Sequence, residues 1–180
     1  MLTAFAGERR LASGPAGDVA AAARRALDTC AGQPLLVFDQ ADGRAVDLDL
    51  RGSPDECAAR AEAAGAPEAA PRGPGRPKLG VVAREVTLLP RHWDWLAGQP
   101  GGASAALRRL VEAARREAEP ADRSRQAREA CYRFISAMAG DRPGFEAATR
   151  ALFAGDAAAF AEHTEAWPDD VRAEARRLAG

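Results

Sequence analysis

The sequence is poor in the residue types that active-site chemistry needs. It contains two histidines, three cysteines and one lysine, Lys78, in 180 residues. The patterns G-x-S-x-G and H-E-x-x-H and the phosphate-binding P-loop do not occur. His92 follows Arg91 in a predicted first helical turn, where a surface or capping role is favoured over that of a general base. We therefore expect a protein that is not an enzyme and needs no cofactor.

Long apolar runs are also missing. No stretch approaches the roughly 20 apolar residues of a membrane-spanning helix, and the N-terminal MLTAFAGERR lacks the pattern of a signal peptide. Cys30, Cys57 and Cys131 are odd in number and far apart, which argues against a disulfide framework and a thiolate zinc site. The sequence predicts a cytoplasmic protein with no metal and no membrane contact, whose thiols are structural.

Charge is distributed unevenly along the chain, although its net charge is only -1. Residues 72–116 carry nine positive and three negative charges, a net charge of +6, while both flanks are acidic. This asymmetry suits a central segment that faces a polyanion. The alternative is ordinary helix surface charge, because arginine is abundant along the whole chain.

Hydrophobic patterning predicts an α+β fold that begins with a mixed domain over residues 1–64. Two short strands pair around Gly7-Glu8, and a helix follows over residues 16–31. Asp42-Gly43 is a hairpin turn signal between an apolar strand and an alternating one that ends near Arg51. Ser53 and Glu56 form a capping box for the next helix, which ends near Gly65.

The remaining domains follow a Pro/Gly-rich linker or basic arm over residues 65–79. Residues 80–118 are predicted to form a strand at 81–89, a short helix, and a longer helix that Pro120 ends. Residues 119–180 are predicted to form a helical C-terminal domain. The predicted inward-facing residues of the longer helix and of the C-terminal domain include Ala106, Leu107, Leu110, Val111, Ala114, Cys131, Phe134, Ile135, Leu152, Phe153, Val171, Ala175 and Leu178.

The central segment VAREVTLLPRHWDWLAGQPGGASAALRRLVEAARR, residues 82–116, resembles the ribbon-helix-helix DNA-binding motif. The resemblance implies a homodimer whose paired strands enter the major groove. It also implies that backbone N–H groups from Gly102 to Ser104 hold a DNA phosphate. The strand register stays open: either Arg84, Val86 and Leu88 face the DNA, or Glu85 and Thr87 do.

Just upstream, PRGPGRPKLG resembles the Gly-Arg-Pro core of an AT-hook. This resemblance implies that Arg76 and Lys78 enter the minor groove of A/T-rich DNA. The alternative is a linker with no DNA contact.

Most of the chain resembles the uncharacterised bacterial family DUF2239, chiefly through residues 83–116 and CYRFISAMAGDRPGFEAATRALFAGD. The family brings no known activity with it. We therefore expect a dimeric DNA-binding protein that regulates transcription; the alternative is a non-enzymatic interaction or dimerisation module. The predicted nucleic-acid-binding residues are Arg76, Lys78, Arg84, Thr87, Gly102 and Ser104.

Overall fold

The computed structural model describes residues 1–30, 32–65, 82 and 84–180. These residues contain three strands and seven helices, so the predicted α+β class is confirmed. The chain divides into a main unit, Met1–Pro67 with Arg123–Gly180, and a middle unit, Glu68–Asp122. Residues 1–64 and 119–180 were predicted as separate domains, whereas nearly all of both lie in the main unit. Among the described residues, no helix has the length and apolar character needed to cross a membrane.

The main unit contains a three-stranded antiparallel sheet. Its strands are β1 (Leu2–Ala6), β2 (Arg9–Gly14) and β3 (Leu35–Asp39), in the order β2-β1-β3. β1 and β2 pair as predicted, through a tight turn in which Gly7 has a φ of +55°. This positive φ is accessible to glycine at little cost.

The helices begin and end close to the capping residues and helix breakers of the sequence, with one exception. Ser53 and Glu56 form the predicted capping box, with reciprocal hydrogen bonds of 3.3 and 2.8 Å. Asp156 caps a later helix by accepting from the N–H of Ala159 at 3.0 Å. The helices are α1 (Ala16–Thr29), α2 (Pro54–Gly65), α3 (Pro90–Ala97), α4 (Gly102–Ala139), α5 (Phe145–Ala154), α6 (Ala157–His163) and α7 (Asp169–Ala179).

Pro120 is the exception, because α4 continues through it and the predicted end at this residue is wrong. Proline removes one backbone hydrogen bond and strains the preceding turn, at a cost of about 3 kcal/mol. Ending the helix would instead leave several backbone carbonyl and N–H groups without intrahelical partners on each side of the break. The strong helix formers that flank Pro120 therefore favour one continuous helix.

The core of the main unit joins the two ends of the chain. Phe5 of β1 and Phe38 of β3 both contact Phe134 of α4, with ring centroids 5.5 and 5.0 Å apart. All three rings are buried, together with α5 and α7 residues such as Leu152 and Val171. The alternation of side chains along a strand explains why Leu2 and Ala4 of β1 instead join a second, smaller cluster with α1.

The segment after the Asp42-Gly43 turn was predicted as an alternating strand. One isolated bridge pairs Phe38 with Ala45, and no strand is present over residues 46–50. Val46, Leu48 and Leu50 nevertheless pack against the smaller cluster. The alternation therefore indicated the buried face correctly, but a backbone ladder did not form.

A buried carboxylate links the sheet to the last helix. Glu174 is only 2% exposed, and its two oxygens accept from Arg177 Nε and Nη2 at 3.1 and 2.6 Å. Thr3 Oγ1 donates to the same carboxylate at 3.4 Å. The hydrogen bonds that Arg177 donates to Glu174 raise the pKa of the Arg177 guanidinium. Buried ions are stable only when paired in this way.

The three cysteines differ in accessibility, which yields a first prediction. Cys57 and Cys131 are buried, as predicted, whereas Cys30 is partly exposed. Burial raises the pKa of Cys131 to about 12, and its thiol donates to the Ala175 carbonyl at 3.3 Å.

Because the thiolate is the reactive form of cysteine, Ellman's reagent is expected to label one thiol per native chain, that of Cys30, and three thiols after denaturation. Rapid native labelling of Cys30→Ser would contradict this assignment.

Candidate nucleic-acid interface

The described part of the middle unit consists of residue 82 and residues 84–122. Pro90 occupies the first turn of α3, where its missing N–H costs no helical hydrogen bond. Gly101, just before α4, and Gly102, its first residue, have φ angles of +83° and +74°, which are unfavourable for other residues. The predicted short helix is observed, and the predicted longer helix begins at Gly102.

Residues 82 and 84–89, which belong to the predicted strand, form no ladder with any other described residue. Leu89 is extended, with φ -67° and ψ 149°, immediately before α3. A ribbon would pair this segment with a second chain, so both the ribbon and its register stay predictions. Neither set of side chains is buried here: Arg84, Glu85, Val86 and Thr87 are all exposed.

Three of the predicted binding residues lie around two adjoining grooves of the middle unit. Arg84 and Ser104 line both an open groove of about 1060 Å³ and a smaller one of about 570 Å³. Thr87 lines the smaller groove beside Trp93. Gly102 lines neither groove, and its N–H donates to the Gln99 carbonyl at 2.9 Å. Arg76 and Lys78 lie outside the described residues.

The larger groove adds arginines of α4 that the predicted set did not include. Arg108 Nη1 donates to Ser104 Oγ at 3.3 Å, and Arg109 Nη1 donates to the Pro100 carbonyl at 3.0 Å. In the described part of the chain, no carboxylate oxygen lies within 4.0 Å of the guanidinium of Arg84, Arg108 or Arg109. Their charge therefore remains available to an anionic partner.

Two further arginines are held by one carboxylate. Arg115 and Arg116 pair with Glu112 at 3.0 and 3.3 Å. The hydrogen bond from Arg115, followed by the charge of Arg116, lowers the pKa of Glu112 below its usual value. These pairs are exposed to solvent and are therefore weak. A phosphate can compete for Arg116, which lines the larger groove.

The spacing of the α4 arginines in the sequence indicates that they share a surface, although the predicted nucleic-acid-binding residues did not include them. Ser104, Arg108, Glu112 and Arg116 recur every four residues and therefore share one face of α4. The prediction assigned binding to the start of the helix and to the strand, because the ribbon-helix-helix resemblance places contacts there.

Large apolar side chains are exposed throughout the described part of the middle unit. The prediction that Leu110, Val111 and Ala114 face a core is wrong within one chain, and Val111 is 64% exposed. The described residues of the unit bury only Leu96 and Ala106, because α3 is too short to cover the apolar stripe of α4. The exposed large apolar residues are Val82, Val86, Leu89, Trp93, Trp95, Leu110 and Val111.

Comparison with known proteins identifies one family. No curated protein and no solved structure matches the chain. The sequence model of a family described as "Uncharacterized protein conserved in bacteria (DUF2239)" matches residues 1–179, which is nearly the whole chain. The protein therefore belongs to the DUF2239 family of bacterial proteins.

Proposed function

We propose that the middle unit pairs with the same unit of a second copy of the chain, and that the paired units bind DNA. One observation carries the proposal: the middle unit has both exposed apolar side chains and arginines that pair with no described carboxylate. The first feature favours association with another protein surface, and the second favours a polyanion.

The apolar residues support pairing. Removing apolar surface from water contributes roughly 25 cal/mol per Å², and clustered exposed apolar residues commonly mark interaction surfaces. Val86 and Val111 line one groove, so they are close enough to be covered by the same partner surface. Trp95, at 54% exposure, adds a large ring of the kind enriched at interfaces.

A second copy is the occupant that best fits the segment before α3. The N–H groups of residues 84–89 donate to no backbone carbonyl within the described part of the chain. Antiparallel pairing with the same segment of another chain would satisfy these groups on both copies. Because such an interface is isologous, each copy offers the surface that the other one needs.

The arginines support DNA binding by the pair. Twofold symmetry would present Arg84, Arg108 and Arg109 twice, which doubles the number of possible phosphate contacts. Arginine binds phosphate through directed, charge-assisted hydrogen bonds. In this arrangement Thr87 and Ser104 contact bases or phosphates from the groove walls, and Arg76 and Lys78 extend the contact into the minor groove. Regulation of transcription is the function that this binding would serve.

The test uses the full chain, with sedimentation velocity over a range of concentrations and fluorescence anisotropy on random duplex DNA over a salt series. Val111→Asp is expected to weaken self-association about tenfold or more, because pairing would bury an unpaired carboxylate. Arg108→Ala is expected to leave pairing intact and to lower the magnitude of the salt slope by about 1.8, since each dimer loses two phosphate contacts.

The matched controls lie in the main unit. Leu27→Asp and Arg25→Ala change exposed side chains of α1 and are expected to alter neither property. A protein that pairs but shows no salt-dependent DNA binding would favour the alternative, an interaction module. A monomer at all concentrations whose DNA binding is unchanged by Arg108→Ala would contradict both parts of the proposal.

A further inference from the structure

A cavity of about 330 Å³ lies in the main unit, among α5, α6, α7 and the part of α4 that follows Arg123. One wall is apolar and includes Leu152 and Phe160. The guanidinium-bearing side chains of Arg128 and Arg176 line it as well, together with Asp156. Its volume is at the lower end of the roughly 300–1,000 Å³ found for small-molecule sites, so it suits a compact ligand.

The two arginines differ in what they already bind. Arg176 Nη2 donates to the Ala161 carbonyl at 2.7 Å and to Glu165 at 2.8 Å, while its buried Nε has no acceptor among the described residues. For Arg128, no carboxylate oxygen of the described residues lies within 4.0 Å of the guanidinium. Arg128 Nη1 lies 3.7 Å from the position that a Cβ on Gly155 would occupy, which places it at the cavity wall.

The carboxylates of Asp156, at the cavity, and Glu165, near it, already have partners within the chain. Asp156 accepts from the N–H of Ala159 at the start of α6, and Glu165 pairs with Arg172 and Arg176. The pairing with Arg176 and Arg172 lowers the pKa of Glu165, which keeps this carboxylate ionised and bound. Arg128 therefore offers a positive charge beside an apolar wall, and that combination recognises a group with one anionic end and one apolar end.

We propose that this cavity binds a small monocarboxylate with an apolar body. Arg128 donates hydrogen bonds to the carboxylate, and Leu152 and Phe160 contact the apolar body. This site is separate from the groove of the middle unit and does not depend on DNA binding.

Isothermal titration calorimetry of the full chain with sodium octanoate tests the proposal, with 1-octanol as the uncharged counterpart. Octanoate is expected to bind saturably and at least about tenfold more tightly than octanol, because a charge-assisted hydrogen bond to guanidinium is lost in the alcohol. Arg128→Ala and Arg128→Gln are each expected to weaken octanoate binding about tenfold and to leave octanol binding unchanged.

Two further variants separate the cavity from other surfaces. Ala161→Phe fills the cavity and is expected to abolish binding of both probes, whereas Arg150→Ala, an exposed arginine of α5, is expected to change neither. Thermal denaturation followed by circular dichroism verifies that each variant is folded. Absence of saturable octanoate binding, equal affinity for octanol, or equal effects of Arg128→Gln and Arg150→Ala would each overturn the proposal.

Discussion

Phe134→Ala is expected to lower the free energy of unfolding of the main unit by about 3–5 kcal/mol. The ring is fully buried and contacts Phe5 and Phe38, so truncation removes apolar contacts and leaves a cavity between the sheet and α4. Urea denaturation followed by circular dichroism measures the change. Because both ends of the chain share this core, hydrogen exchange is expected to accelerate together in β1, β3 and α7.

Phe153→Ala provides the matched control for this prediction. Both phenylalanines belong to apolar helical stripes in the sequence, but Phe153 is 50% exposed and contacts only one ring, that of Tyr132, within the described residues. Its truncation is expected to cost less than about 1 kcal/mol. Similar losses for the two variants, or a loss of protection confined to one end of the chain, would contradict the shared core.

Gly43→Ala is expected to destabilise the main unit by about 2–5 kcal/mol. Gly43 has a φ of +69°, which costs other residues about 1–2 kcal/mol. A Cβ there would also overlap with the carbonyl oxygen of Ala130 in α4, and relieving that overlap adds about 1–3 kcal/mol. The backbone of a helix cannot yield as a flexible side chain would. Denaturant unfolding of the variant measures the combined effect.

Gly32→Ala separates the two contributions. Gly32 also has a positive φ, +88°, but a Cβ there would meet no atom within 4 Å. The free energy of unfolding of this variant is therefore expected to fall only by the cost of the positive φ, about 1–2 kcal/mol. If Gly43→Ala costs no more than Gly32→Ala, the close approach of the turn to α4 is not present in solution.

The two units present different kinds of surface, and this difference guides the functional proposals. Among the described aromatic residues of the main unit, only Tyr132 and Phe153 are exposed, and the cavity of this unit combines an apolar wall with arginine. The described part of the middle unit leaves most of its apolar residues exposed. Clustered exposed apolar residues commonly mark interaction surfaces, which is why we propose association for the middle unit and ligand binding for the main unit.

Local signals along the sequence determined most element boundaries. The Ser53-Glu56 capping box, the Asp156 cap and the glycines at the start of α4 each act within a few residues, so their effects could be predicted from the sequence. The arginine-rich character of the central segment is likewise a property of the sequence itself. Local signals failed at Pro120, because the cost of one proline was outweighed by the strong helix formers on both sides.

Only the tertiary structure decided which apolar faces are covered. The helical periodicity of Phe134 and Val111 is equally clear in the sequence, yet one is buried by strands from the other end of the chain and the other is exposed. The contact of Thr3 with Glu174 likewise joins residues 171 positions apart. Periodicity identifies a face that favours burial, but the partner that covers it comes from long-range contacts, which no local pattern contains.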